Sequence, residues 1–494
     1  MDKPRIRVLV TAFAAVPGSS PHGAALLAMA AAIRADLDLV TLKTEHLSHV
    51  ERLGDARMFR VPVGEAGTLE QRVVFDRAIA RQLEAEHYDV VHVRGPFEGA
   101  IAAGRKATFG FQLVYEMATF PDEALGADIE KRWGEAHART IAHADLVLVP
   151  TEAARRAVAE SIPSERVIVL PPGVDVGSFD WRPLSGSALP RLLYLGSFTA
   201  DRDLATVLGA LRRVVQTRQV RALIAGEHDR ERRERLRAMV QAFDLGDIVE
   251  VRGEPQPRAL PQIIAGADLC LAPASEAPRF QSLGDLPQPL LEYLACHRPV
   301  IAAGVPGVSD AVRDEQEGLL YPPGDEAALA DAILEMLRDE SLRERTTEAG
   351  YRRVREIFSS GARRRRIAEI YERLAPGSQV ADAWAESFDE AETGSIEVPA
   401  SISSMMSHGT DSSIPSDRHE DDDGDGEPMA ARATPPDEMD DESAAIELDT
   451  GDVLAPKTQP GMEITRDLPP RIDTEPGVLS PESMRPTTDT DPGR

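Results

Sequence analysis

The chain has 494 residues, enough for two domains with full cores and additional material. Its formal charge of −28 is a property of one end: 29 acidic and 7 basic side chains follow residue 376, leaving −6 for residues 1–376. That distribution argues against non-specific nucleic-acid binding, and two cysteines, Cys270 in ADLCLAP and Cys296 in YLAC, suit buried free thiols better than a disulfide or metal framework. No apolar run approaches the roughly 20 residues of a membrane span, and MDKPRIRVLVTAF has one short apolar run without a cleavage site, so it reads as a strand and not a signal peptide. A cytoplasmic protein is expected.

In chain order, IRVLVTAF (6–13) predicts a buried strand, followed by the loop AAVPGSSPHG and the apolar helix AALLAMAAAI. DLDLVTL is a second strand, a helix follows over roughly 68–86, and DVVHV and FQLVYEM are further strands. An amphipathic helix near 127–144, the strand ADLVLVPT, a helix at 152–160 and RVIVLPPG complete a first strand–helix alternation, which spells an open, mostly parallel sheet. The Gly-, Pro- and Ser-rich segment 174–190 reads as a linker, so the first domain is placed at 1–173. The alternation then restarts with RLLYLGSF, a helix near 201–216, RALIAG, a helix near 229–243, IVEVRG, LPQIIAGA and DLCLAP, and a second domain is placed at 191–360. Helices at about 325–338 and 341–357 follow, and GARRRRIAEIYERL closes the folded part as a helix within 361–376. Beyond lies an acidic tail, 377–494: Val380, Trp384 and Phe388 allow one short amphipathic helix, and the Pro-, Ser- and acid-rich remainder is expected to be disordered.

The stretch Leu286–Asp325 carries the clearest chemical signal. PLLEYLAC is helical, with Leu290, Leu291, Leu294 and Ala295 on one face and Glu292 read as a first-turn carboxylate. PVIAA is an all-apolar strand, and GVPGVSD gives backbone freedom at its carboxyl end, where open α/β sheets bind ligands. A Gly-permissive loop, a helix start and a placed carboxylate suit a phosphorylated, hydroxyl-rich ligand such as a nucleotide sugar; any Rossmann-like crossover also has helices and glycines there.

Taken together, DVVHVRGPFEG, LVYEM, ADLVLVPTEAARR, RVIVLPPGVDVGSF, LLYLGSF, PLLEYLACHRPVIA, GVSDAV and EGLLYPPGDEAAL resemble, in this order, the retaining family-4 glycosyltransferases of the GT-B fold. The resemblance implies an α/β protein of two Rossmann-like domains facing across a cleft. Its donor would be a nucleotide-diphosphate sugar, its acceptor a carbohydrate or lipid-linked molecule, with no metal or other cofactor. It implies that Glu292 holds the donor ribose, that Gly196 faces the diphosphate and that Arg202 takes the place of the family's diphosphate-binding lysine, which an arginine fork can fill. Asp310 falls where the family often has a glutamate, and Gly23 in the loop that sits under donor and acceptor. Departures are Ser197 where the family has an arginine, Gly284 at the first glutamate of its two-glutamate motif, Pro289 in place of a lysine, Met117-Ala118 after LVYE and Pro172 in the linker strand.

Other candidates come from position. Arg279 in SEAPRF can replace missing charge from the loop before the donor helix, or sit on a loop surface. His92 and Arg94 end the strand DVVHV, where a catalytic role is set against a packed core histidine. His22 in the acceptor-side loop is a sugar contact or a plain surface histidine. The Asp-x-Asp runs at 36–38 and 420–427 have the wrong setting for a metal. GARRRR is a solvated face or a surface drawn to an anionic membrane, which would extend the cytoplasmic reading to peripheral contact at the inner membrane. The substituted charges keep open an alternative, a catalytically degenerate GT-B protein acting as a binding or scaffolding module.

Overall fold

The computed structural model describes residues 6–374 apart from 17–34, 44–46, 54–55, 65–67, 119, 121–126, 180–181 and 185–187. His22, Gly23, the helix AALLAMAAAI, the Asp-x-Asp run at 420–427 and the whole tail lie outside the described residues.

The first sheet contains β1 (Arg7–Ala15), β2 (Asp36–Leu42), β3 (Val50–Leu53), β4 (Ala56–Val61), β5 (Val90–Val93), β6 (Gln112–Glu116), β7 (Leu146–Val149) and β8 (Val167–Val169), in the order β3-β4-β2-β1-β5-β6-β7-β8. Every pairing is parallel except β3 with β4. Alternate residues of each strand serve two cores: Val8 and Val10 pack on one face of the sheet, Leu9 on the other with Phe75 and Ile79 of α1 (Thr68–Ala85). Burial on both faces explains why these strands read as unbroken apolar runs. The same domain holds α2 (Pro96–Ala103), α3 (Ala127–His143) and α4 (Glu152–Ala159).

The strands β3 and β4, paired at one end of the sheet, correct the sequence reading, which passes from β2 directly to the helix at 68–86. Their charged residues break any apolar alternation, and tertiary partners neutralise them. Arg60 donates to the carbonyl of Val16 at 2.7 Å and pairs with Glu51 at 2.7 Å. Arg57 grips Asp38 through two bonds of 2.7 Å, and Tyr88 donates to the same carboxylate at 2.7 Å. Asp38, the second aspartate of DLD, is therefore a structural anchor of the sheet edge.

The second sheet contains β9 (Arg191–Leu195), β10 (Arg221–Ala225), β11 (Val249–Val251), β12 (Leu269–Ala272), β13 (Val300–Ala303) and β14 (Leu319–Tyr321), all parallel in the order β11-β10-β9-β12-β13-β14. This is the doubly wound order with its switch point between β9 and β12. Around it lie α5 (Leu204–Val214), α6 (Arg230–Ala242), α7 (Gln288–Ala295), α8 (Glu326–Arg338) and α9 (Glu340–Arg353). Cys270 and Cys296 are buried in this core and form no disulfide.

The two domains are crossed twice. Val174 of the linker donates its amide to Phe358 and accepts from the Ser360 amide, both at 2.8 Å, so the outgoing and returning chains form a β-bridge. A π-helical turn, Val354–Phe358, precedes the return. Then α10 (Ser360–Leu374) runs back onto the first domain, burying Ile367, Ile370 and Tyr371 beside Val8, Val10 and Leu39. The spacing of these three residues is that of one helical face. The closing helix thus completes the first domain's core, although it follows the second in sequence.

Candidate active site

At the switch point of the second sheet, the turn after β9 is built by close approach. Gly196 has φ +150°, and a Cβ there would lie 2.6 Å from the Tyr194 hydroxyl. Gly226, with φ +123°, packs so closely that its own Cβ would lie 2.6 Å from the Gly196 backbone. Glu227 braces the same turn: its carboxylate accepts from the amides of Phe198 at 3.0 Å and Asp229 at 2.9 Å. Burial would raise this carboxyl, but those two amides and Arg232 hold it below its ordinary range. Tyr194 donates to the Ser197 carbonyl at 2.6 Å, and the Ser197 hydroxyl lies 3.0 Å from that of Thr199. Ser197 thus shapes the turn without bringing charge.

Arg202 ends a short 3₁₀ turn, and the next residue, Asp203, has φ 48° and caps α5. The Arg202 guanidinium lies 5.2 Å from the Phe280 ring and helps line a cavity of about 30 Å³ with Gly196, Pro273, Pro287, Pro289 and Tyr293. Its Nε is buried without a hydrogen-bond partner, and among the described residues no carboxylate pairs with it. The neighbouring carboxylate, Asp201, is taken by Arg279, whose Nη1 lies 3.3 Å away and whose Nε donates to Asp285 at 2.6 Å. Arg279 therefore spends charge within the loop, whereas Arg202 keeps its own.

The helix α7 is tied to the end of β9 by Tyr293, whose hydroxyl accepts from the Leu195 amide at 2.6 Å. This bond sets the position of Glu292, the preceding residue. Glu292 lies in the second turn, because α7 begins at Gln288; the expected first-turn placement is corrected, and the helix dipole gives it little support. Its half-buried carboxyl makes no hydrogen bond or ion pair among the described residues, and burial pushes it up to about 7.

At the strand ends of the first sheet the charges are paired. His92 is fully buried, with Nδ1 2.8 Å from the Tyr371 hydroxyl and Nε2 3.2 Å from Glu116. Arg94 and Arg363 both donate to one oxygen of Glu116, at 2.9 and 2.8 Å. Burial alone would raise the Glu116 carboxyl, yet the two guanidiniums hold it well below the usual range, while burial lowers His92. Arg363 also donates to the Pro171 carbonyl at 2.6 Å. This network fastens α10 and the segment after β8 to β5 and β6. His92 and Arg94 therefore face a packed interior, and Arg363 of GARRRR turns inward where a solvated or membrane-facing side chain is expected.

Between the domains, Thr151 caps α4, accepting from the Ala154 amide at 3.1 Å and donating to the Gly284 carbonyl at 2.8 Å. Gly284 has φ +62°, and a Cβ there would lie 2.5 Å from the Thr151 hydroxyl. Asp310 accepts from the Ala153 amide at 2.8 Å, so its carboxylate clasps the first domain at the start of α4. The structure brings Gly196 and Arg202 to one crevice, with Ser197 in the turn that follows Gly196, and places Asp310 and Gly284 in the interdomain contact.

This arrangement has known counterparts. Residues 189–339 match the family described as glycosyl transferases group 1, and residues 21–178 match glycosyltransferase family 4. The chain is 30% identical over 329 residues to a phosphatidyl-myo-inositol mannosyltransferase of Mycobacterium leprae, covering 64% of this chain and 82% of that one.

The chain belongs to the family-4 glycosyltransferases.

A D-inositol 3-phosphate glycosyltransferase of Thermomonospora curvata is 29% identical, over 58% of this chain and 71% of that one. Among solved structures, the sucrose-phosphate synthase of Thermosynechococcus elongatus superposes with a TM-score of 0.63 at 22% identity, covering 75% of this chain and 99% of the other. Anabaena Alr3699/HepE in complex with UDP and glucose gives 0.60 at 17%, covering 75% and 100%. These structural likenesses carry the GT-B fold. As a family-4 glycosyltransferase the protein is an enzyme of glycosyl transfer, and Glu116, Arg363, Tyr371, Glu227, Thr151 and Tyr293 are supporting residues that the sequence reading did not single out as site residues. Glu116 was within reach, since LVYE is a family motif ending in a carboxylate at a strand end. Arg363 and Tyr371, more than 240 residues away from it in sequence, gave no such signal.

Among the described residues no helix is long and apolar enough to cross a membrane, and no group of three or more His, Cys, Asp or Glu side chains is placed to hold a metal.

Proposed function

We propose that this enzyme takes its sugar from a nucleoside-diphosphate donor bound at the β9–β12 switch point and passes it to a hydroxyl of a carbohydrate or lipid-linked acceptor held by the first domain, with retention and without a metal. The observation that carries this reading is Arg202: a half-buried guanidinium with no carboxylate partner among the described residues, beside the glycine turn where a diphosphate can approach the backbone. In the transfer the bond between the anomeric carbon and the diphosphate oxygen breaks, and its electron pair leaves with the diphosphate. Arg202 stabilises that charge with a bidentate fork. The acceptor oxygen bonds to the anomeric carbon on the same face, and its proton passes to the departing phosphate oxygen. Glu292 accepts from the ribose hydroxyls, which lowers its raised pKa and fixes the nucleoside. Relatives named for phosphatidyl-myo-inositol and for D-inositol 3-phosphate support an acceptor with a polyhydroxylated ring.

A donor-hydrolysis assay across uridine- and guanosine-diphosphate sugars tests the reading. Turnover of one donor, lost on Arg202→Ala, is expected. Binding of a nucleoside diphosphate without any turnover, with or without inositol acceptors, favours the binding-module alternative instead.

A further inference from the structure

A second cavity, an open cleft of about 430 Å³, lies on the second domain and contains none of the donor-site residues above. Four arginines line it, Arg313, Arg345, Arg352 and Arg353, against three glutamates, Glu315, Glu317 and Glu356. Glu317 is already committed: its carboxylate accepts from the Arg313 amide at 2.9 Å and pairs with the Arg313 guanidinium. The Arg345 and Arg352 side chains are exposed and make no hydrogen bond or ion pair among the described residues.

Arg353 connects this cleft to both domain contacts. Its Nε donates to the Ala311 carbonyl at 2.9 Å and its Nη2 to the Asp310 carbonyl at 2.7 Å. Asp310 is the residue whose carboxylate takes the Ala153 amide of the first domain. The residue after Arg353 starts the π-helical turn, and the carbonyl of Phe358 at its end receives the Val174 amide at the interdomain crossing. Single π-helical turns are frequent at functional sites.

We propose that this cleft binds a phosphate group, free or as a phosphate ester, and that occupancy is relayed through Arg353 to the Asp310–Ala153 clasp and the Val174–Ser359 crossing, changing the affinity for the donor. Guanidiniums bind phosphate oxygens bidentately. A phosphate held by Arg345 and Arg352 draws the adjacent Arg353 toward it and loosens its hold on the Asp310 and Ala311 carbonyls. The binding half stands apart from the donor reading; the coupling half rests on it.

The test begins with titration calorimetry on the full-length Arg202→Ala protein, whose diphosphate site is weakened, using inorganic phosphate and glucose 6-phosphate as separate probes. One site is expected, weakened about tenfold or more when Arg345→Ala and Arg352→Ala are added. Tighter binding of the ester names an ester as the ligand, and equal or tighter binding of the free anion names phosphate. No binding at millimolar concentration, or binding indifferent to the two substitutions, overturns the site. For the coupling, saturating probe is expected to change the Kd of uridine diphosphate by about fivefold in otherwise unaltered protein, within the usual range of linkage between two sites. If that change persists in the Arg345→Ala/Arg352→Ala protein, the probe competes at the diphosphate site and the coupling is overturned. If uridine diphosphate itself does not bind, the donor reading and the coupling fail together, while the phosphate titration still decides the cleft.

Discussion

The two sheets end in charged residues at comparable places, and the chain treats them in opposite ways. At the end of β5, His92 and Arg94 are matched by Glu116, Arg363 and Tyr371, and nothing ionic remains to offer a ligand from that cluster. Beside β9, Arg202 and Glu292 have no charged partner among the described residues, although Asp201 and Asp285 lie close by. The difference is made by Arg279, which takes both aspartates and leaves Arg202 unmatched. A strand-end location is thus insufficient to mark a ligand site. The informative feature is a charge held in place whose partner the chain does not supply.

The contrast can be broken first at the paired cluster. Replacing Glu116 by Gln leaves two buried guanidiniums without a carboxylate and is expected to cost about 3–5 kcal/mol, a fall of roughly 5–15 °C in Tm. Because the Glu116 carboxyl sits below its usual range when folded, its contribution is present above the ordinary carboxylate pKa and is lost as pH falls through the folded value. Thermal melts from neutral pH into acid should therefore show the gap between wild type and variant narrowing. A stable Glu116→Gln protein that has lost turnover would instead give this cluster a chemical role.

The next effect concerns the unpaired cation. Arg202→Ala is expected to weaken nucleoside-diphosphate binding by about 1.5–3 kcal/mol, roughly tenfold to a hundredfold, with little change in bare-nucleoside affinity or Tm. The loss should be greater at low salt. Equal losses for nucleoside and diphosphate in calorimetry would place Arg202 away from the phosphates.

Glu292 sharpens the comparison through pH. Its carboxyl is raised to about 7 when folded, so the native state loses stability as pH climbs from the ordinary value of 4.5 through 7. Glu292→Gln should match wild type near pH 5 and exceed it at pH 8 by up to about 2 kcal/mol, allowing for partial exposure. Ribose hydroxyls favour the ionised carboxylate, so wild-type nucleoside affinity should rise from pH 6 to 8 while that of the variant stays flat. The smallest expected effect is that of chelation: with diphosphate charge met by Arg202, turnover should remain within about twofold of the untreated enzyme. Loss of turnover that manganese or magnesium restores would make a cation part of the donor site.

Some of this was legible in the residues. RLLYLGSF, DLCLAP and PVIAA are apolar because strands of a parallel sheet are buried on both faces, so β9, β12 and β13 and the alternation around them could be read directly. The helix PLLEYLAC followed from spacing, but it starts one residue earlier, at Gln288, since Pro287 and Pro289 mark a boundary without fixing which residue begins it, and Glu292 falls in the second turn. The hairpin β3–β4 was invisible, because its arginines and glutamate find partners only across the folded sheet edge.

What the sequence determined by itself is the class of the fold and the family, because apolar periodicity and glycine turns are local properties read within one strand–helix unit. The tertiary structure alone decided which charges remain free. His92 and Arg202 look alike as polar residues near strand ends; one is enclosed by Tyr371 and Glu116, the other keeps its charge because Arg279 takes the nearby aspartate. Asp310 and Gly284 likewise became interdomain contacts only when α4 met them. Pairing of charge is a long-range event in the chain, and its outcome depends on which side chains the fold brings within hydrogen-bond reach.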